Sequence, residues 1–198
     1  MAEEKKATAA AIVDNISISD VYRAAKQLDN VVKKTTLIQS PYFSSIAGND
    51  VYLKPENLQN TGSFKLRGVY NKISQLSPAE KTAGVITASA GNHAQGVAFA
   101  AQQLGVKAVI TMPATTPILK VEATRAYGAE VVLFGDTYDD AYNKALELQQ
   151  QNGYILVHPF DDIEVILGQA TTALEIIDEL KDVDAILVPV GGGGFVSG

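Results

Sequence analysis

Gly84-Val85-Ile86-Thr87, Asn92 to Leu104 and Ala108-Val109-Ile110-Thr111 decide the fold, because they are a short apolar run, a helix-length segment and a second apolar run in immediate succession. A strand, a helix and a strand in that order make a βαβ unit, whose strands lie parallel. The order continues outward with a helix from Pro117 to Tyr127, a strand from Glu130 to Phe134, a helix from Tyr138 to Gln151 and a strand at Ile155-Leu156-Val157. A helix from Glu164 to Leu180 and a final strand from Ala185 to Val190 close the series. Val131-Val132-Leu133-Phe134 and Ile186-Leu187-Val188 are nearly continuous apolar runs, as expected of strands covered on both faces. The fold class is therefore α/β, a parallel sheet with flanking helices. Gly105, Gly128 and Gly153 each follow a predicted helix, where a left-handed cap is easiest for glycine.

Upstream of this series, Val21, Ala24, Ala25 and Leu28 recur at helical spacing between Ser19 and Asn30, with Ser19 or Asp20 placed to cap the helix. Val51-Tyr52-Leu53-Lys54 reads as a short strand that Pro55 ends. Met1 to Asn15 reads as a frayed arm leading into the first helix, since its apolar run Ala9 to Val13 is too short for a signal peptide or a membrane span.

A net charge of −6 with no cluster of Lys and Arg argues against a nucleic-acid surface, because phosphate backbones are held by clustered cations. The absence of cysteine excludes a disulfide framework, a thiolate metal site and a cysteine nucleophile, and suits a reducing cytoplasm. No metal site is expected.

Ligands of a parallel sheet collect outside the carboxyl ends of its strands. Three segments stand out in such places: Asn60-Thr61-Gly62-Ser63-Phe64-Lys65-Leu66-Arg67-Gly68, Ser89-Ala90-Gly91-Asn92-His93-Ala94-Gln95-Gly96 and Gly191-Gly192-Gly193-Gly194. The four glycines are either a flexible tail or a loop of bare amides that closes around a phosphate, and their place after an apolar strand favours the loop. Ser89, Ala90 and Gly91 lead into a helix whose first amides suit a carboxylate. Asn92 is either the cap of that helix or the donor to a ring oxygen, and His93 either an acid or base or a packed histidine. Lys65 taken alone would be a solvated surface charge.

Taken in order and spacing, these three motifs resemble the set carried by the threonine dehydratases, which belong with serine racemase, cysteine synthase and threonine synthase among the pyridoxal-phosphate enzymes. The resemblance runs from about Ser17 to Gly198. It implies fold type II, the tryptophan synthase beta-like fold. Residues 1–55 would be the first part of a large domain, 56–154 a small domain, and 155–198 the start of the large domain's second segment, with the rest of that domain missing. It further implies that Lys65 forms the Schiff base with pyridoxal 5'-phosphate, that Phe64 packs beside its ring and that Asn92 bonds its hydroxyl. Gly191, Gly192, Gly193 and Gly194, with the amide of Phe195, would hold the phosphate. Ser89, Ala90, Gly91, Asn92 and His93 would hold the substrate carboxylate. Arg67, on the next turn, is a candidate for making the Lys65 amine available.

The implied activity is L-threonine ammonia-lyase, giving 2-oxobutanoate and ammonia, in a cytoplasmic homo-oligomer and as the first step of isoleucine biosynthesis. The rivals are a serine-preferring dehydratase, a β-replacement synthase of the same fold and a non-catalytic cofactor-binding fragment. Ala90 stands where the racemase has a serine, which disfavours racemisation. Ile163 stands where a proline is usual and Ala170 where a glycine is usual, so Ala170 matters if that position needs a positive φ or a close backbone approach.

Overall fold

The computed structural model describes residues 16–198, so the expectation for Met1 to Asn15 lies outside the described residues. Helix α1 (Ile18–Leu28) begins at Ser17, two residues before the nearer expected cap. Asp20 serves instead from the third helical position, accepting the Ser17 amide at 2.9 Å. The expected strand near Val51 is β2 (Tyr52–Leu53), paired antiparallel with β1 (Ile38–Gln39) across the short helix α2 (Pro41–Ala47). A turn of 3-10 helix (Glu56–Leu58), α3 (Lys65–Ser74) and α4 (Pro78–Ala83) follow. Ser77 caps α4 with Pro78 at the first helical position and Glu80 completing the box.

The expected alternation then appears: β3 (Val85–Ala88), α5 (Asn92–Leu104), β4 (Ala108–Met112), α6 (Ile118–Arg125), β5 (Glu130–Leu133), α7 (Tyr138–Asn152), β6 (Ile155–Leu156) and α8 (Ile163–Glu179). The four strands β3 to β6 pair in parallel in the order β5-β4-β3-β6, with Val85 beside both Ala108 and Ile155. One face buries Val85, Ile110 and Met112 against Leu66, Val69 and Val97 of α3 and α5. The opposite face buries Ile86, Ala88 and Val109 against Ala145 of α7, with Tyr142 and Leu148 packed beside it. Both faces are covered, as the apolar strands require. Gly105 (φ 65°) and Gly153 (φ 74°) close α5 and α7 in the left-handed conformation.

Helix α8 crosses α3 at two glycines. A Cβ on Gly168 would stand 2.5 Å from the Gly68 Cα and 2.6 Å from the Arg67 carbonyl oxygen, so the close approach is made there. Ala170 lies inside α8 with no positive φ, so its conformation does not require glycine, but the chain does pass close to it at Gly198, where a Cβ would stand 2.8 Å from the Ala170 amide nitrogen. Ile163 is the first residue of α8 after the Asp162 cap, a place where proline is favoured but not required.

The expected strand Ala185–Val190 is not one. These residues have no strand beside them among the described residues, and Leu187 is 93% exposed. An apolar run becomes a strand only when neighbours satisfy its amides and carbonyls. The chain then ends in the short helix α9 (Gly194–Ser197).

Candidate functional site

From β3 the chain moves outward through β4 to β5 and then returns to the other side of β3 at β6. The carboxyl ends of β3 and β6 therefore flank a topological switch point, where open parallel sheets bind ligands. Ser89 to Gly91 leave β3 there for α5, and Val157 to Phe160 leave β6 there for α8. Val157 continues the ladder, donating its amide to the Ile86 carbonyl at 2.9 Å.

Lys65 reaches this point from the head of α3, after a turn at Gly62 (φ 72°), and its amide donates to Ser63 Oγ at 3.3 Å. Its Nζ donates a 2.6 Å hydrogen bond to the Pro159 carbonyl and lies 5.5 Å from the centre of the Phe64 ring. Burial holds the amine below the usual lysine range. Arg67 does not contribute to this. It is fully buried and turned to Glu56 (Nε to Oε2 2.8 Å) and Glu175 (Nη1 to Oε1 2.7 Å), with Thr171 beside it, so two carboxylates absorb its charge.

Beside Lys65 is a cleft of about 220 Å³, lined by Phe64, Phe160, Pro189 and the loop Gly191 to Phe195. The Phe64 and Phe195 rings stack at 3.9 Å with 7° between their planes. The loop turns at Gly193 (φ 90°), and a Cβ on Gly192 or Gly194 would collide with Phe160. The amides of Gly191 to Phe195 donate to no described residue. Such a cradle of free N–H groups suits a phosphate.

Ser89 to His93 stand at the head of α5 and do not line that cleft. Gly91 is the cap residue of α5, so Asn92 is not, and the Asn92 side chain is exposed with no described partner. The amides of Asn92, His93 and Ala94 are also without described acceptors, as at any open helix start. Gly91 donates its amide to Ser89 Oγ at 3.2 Å, and Ala90 packs partly into the core. His93 is 3% exposed, with Nε2 3.0 Å from the Val157 carbonyl, and burial drops its pKa to about 4. That is the setting of a packed, neutral histidine. Gly96, one turn on, faces the backbone of Lys65 and Leu66.

Lys65, Phe64 and the glycine loop thus share one cleft, while Ser89 to His93 face the switch point from α5. Sequence reasoning missed Pro159 and Phe160, and it missed Glu56 and Glu175 as partners of Arg67. The first pair carried a signal, because His158-Pro159-Phe160 directly follows the strand residues Ile155-Leu156-Val157. Of the second pair, Glu175 carried none, being 108 positions from Arg67.

A family model described as pyridoxal-phosphate dependent enzyme matches residues 28–198. L-threonine ammonia-lyase of Thermotoga maritima is 52% identical over 183 residues, 92% of this chain and 46% of that protein. The catabolic L-threonine dehydratase TdcB of Escherichia coli K12 is 46% identical over 183 residues, 92% of this chain and 56% of that protein. Among solved structures, the processed form of threonine deaminase isoform 2 from Solanum lycopersicum superposes with a TM-score of 0.85 at 45% identity, covering 91% of this chain and 51% of that one. Maize serine racemase gives 0.88 at 32% identity, covering 91% and 55%. The chain spans about half the length of the curated relatives it matches.

Proposed function

Since the chain belongs to the pyridoxal-phosphate dependent enzymes, we propose that it carries the site of an L-threonine ammonia-lyase, which converts L-threonine to 2-oxobutanoate and ammonia. The observation that carries this is the half-buried Lys65 amine standing beside a glycine loop whose five amides have no acceptor among the described residues. The residues fit the cofactor. An amine is at hand for its aldehyde, and free amides of Gly191 to Phe195 suit its phosphate in a cradle where side chains at Gly192 and Gly194 could not fit. Phe64 would flank its ring, and Asn92, with an uncommitted side chain, would bond its hydroxyl.

Pyridoxal phosphate, when bound, supplies an electron sink for charge developing at the substrate Cα. The other steps belong to the chain. The open amides of Asn92, His93 and Ala94, with Ser89, Ala90 and Gly91, hold the substrate carboxylate at the positive end of α5. Lys65 Nζ takes the Cα proton, and its burial favours the free amine that this requires. His93 stays neutral beneath the site and orients α5 through the Val157 carbonyl.

We assign residues 56–154 to a small domain, which contains strands β3 to β5, with the flanking segments 1–55 and 155–198 in a large domain. We place the protein in the cytoplasm, which its lack of cysteine suits, and read it as a homo-oligomer, supported by exposed apolar residues such as Tyr42, Phe43 and Ile46. The same proposal puts the reaction at the head of isoleucine biosynthesis. Complementation of an isoleucine-requiring strain tests that placement, and failure to complement by a chain that releases 2-oxobutanoate in vitro would count against it.

The activity is tested by supplying the chain and its Lys65→Ala variant with pyridoxal phosphate and either threonine or serine. Release of 2-oxobutanoate from threonine by the unaltered chain alone is the expected result. Faster pyruvate release from serine would make it a serine dehydratase, and no ketoacid from either substrate would overturn the assignment.

A further inference from the structure

Resting on the reading of Lys65 and the glycine loop given above, we propose that Phe160 is a positioning residue, and that the segment Val157 to Phe160 couples the seating of the glycine loop to the Lys65 amine. Val157 anchors the segment. Its amide donates to the Ile86 carbonyl at 2.9 Å, and its own carbonyl accepts Thr87 Oγ1 at 2.8 Å and faces His93 Nε2 at 3.0 Å. Two residues on, the Pro159 carbonyl accepts Lys65 Nζ at 2.6 Å. The next residue, Phe160, fills the space that a Cβ on Gly192 or Gly194 would need. His158 Nδ1 accepts the Asp161 amide at 2.8 Å, closing the turn that fixes where Phe160 stands.

One short segment therefore touches the lysine with one residue and the glycine loop with the next. The Phe160 side chain and the Pro159 carbonyl are joined through a single planar peptide, so a shift of one is passed to the other. A carbonyl acceptor favours the protonated, donating form of an amine. Phosphate binding that draws the loop against Phe160 thereby reaches the proton on Lys65 Nζ. The titratable groups facing that atom are His93 from α5 and His158 from the segment itself, both held toward the neutral form by burial. A change in Lys65 titration therefore reports on the burial of the amine and on its Pro159 acceptor rather than on their charge.

The test uses the full chain with inorganic phosphate as the probe of the loop and the pH profile of Lys65 acetylation, read by peptide mass, as the probe of the amine. Phe160→Ala should weaken phosphate binding roughly tenfold and move the Lys65 midpoint down by roughly one pH unit, as loss of the carbonyl acceptor does, whereas an upward shift would mean that the ring only buries the amine and would overturn the coupling. Phe160→Tyr, which keeps the ring, should restore both. Gly192→Ala, which drives a Cβ into the ring, should disturb both probes, and Phe160→Ala should relieve part of that disturbance in the double variant. If Phe160→Ala does not fold, Gly192→Ala carries the same comparison. An unmoved Lys65 profile in the folded variant, with or without weaker phosphate binding, overturns the coupling. Borohydride reduction of the unaltered chain with pyridoxal phosphate separates the two levels. No label on Lys65 removes the cofactor reading and the coupling together, whereas a labelled Lys65 with an unmoved profile in the variants removes the coupling alone.

Discussion

Lys65 Nζ donates to the Pro159 carbonyl at 2.6 Å, so the head of α3 and the exit of β6, 94 positions apart in the chain, meet at one hydrogen bond. The bond sits where β6 returns beside β3, and it places the only half-buried lysine amine described in the cleft against the glycine loop. What surrounds this contact fixes the consequences of several substitutions.

Asn92→Ala separates a structural amide from a binding one. Because Gly91 caps α5 and the Asn92 side chain has no described partner, the variant should keep its stability within about 0.5 kcal/mol. Its affinity for pyridoxal phosphate should fall, which a spectroscopic titration measures. A clear loss of thermal stability with unchanged affinity would make Asn92 a structural residue.

Arg67→Met leaves the carboxylates of Glu56 and Glu175 facing a buried apolar group, so unfolding in urea should show a loss of about 3–5 kcal/mol. Arg67→Lys should recover only part of this, since an ammonium cannot reproduce the two-sided fork. Full recovery by lysine would show that charge alone, without the fork geometry, is what the two helices and the Glu56 turn require.

Gly168→Ala tests the crossing of α3 and α8. Its Cβ would meet backbone atoms of Gly68 and Arg67 at 2.5 and 2.6 Å, and backbone cannot swing aside as a side-chain tip can. The expected loss is about 1–3 kcal/mol by urea denaturation. Wild-type stability in this variant would mean that the helices are farther apart than described.

His93 gives the fold a dependence on pH of defined sign. Its pKa falls from 6.5 to about 4 on burial, so between these values the unfolded chain binds the extra proton and acid favours unfolding. Its contribution is complete above pH 6.5 and is lost as pH drops toward 4, by about 1.4 kcal/mol per pH unit. Urea midpoints across this range should fall more steeply for the unaltered chain than for His93→Gln. Equal slopes would show that His93 is not buried as a neutral group.

Most of the architecture was legible in the sequence because its signals are local. Short β-branched runs and helices bounded by Gly105 and Gly153 each specify an element within a few residues. Ala185 to Val190 carries the same local signal and yet forms no strand, because pairing is a property of neighbours and none is described beside it. At the site, the segments around Lys65, Asn92 and the glycine loop could be picked out by their places after predicted strands, and Lys65 itself only through the resemblance. The role of Arg67 could not, since its neighbour in sequence, Lys65, turns toward Pro159 while Arg67 itself turns to Glu56 and Glu175. Ile38 and Gln39 were equally silent, being a strand of two residues that exists only through its pairing with Tyr52 and Leu53.

Borohydride reduction of the chain with pyridoxal phosphate, followed by peptide mass mapping, asks whether the amine beside the glycine loop is the one that holds the cofactor. The expected result is a single phosphopyridoxyl group on the peptide containing Lys65, abolished by Lys65→Ala and suppressed by excess inorganic phosphate competing for Gly191 to Phe195. Label spread over exposed lysines such as Lys107 and Lys181, with none on Lys65, would contradict the assignment of the site.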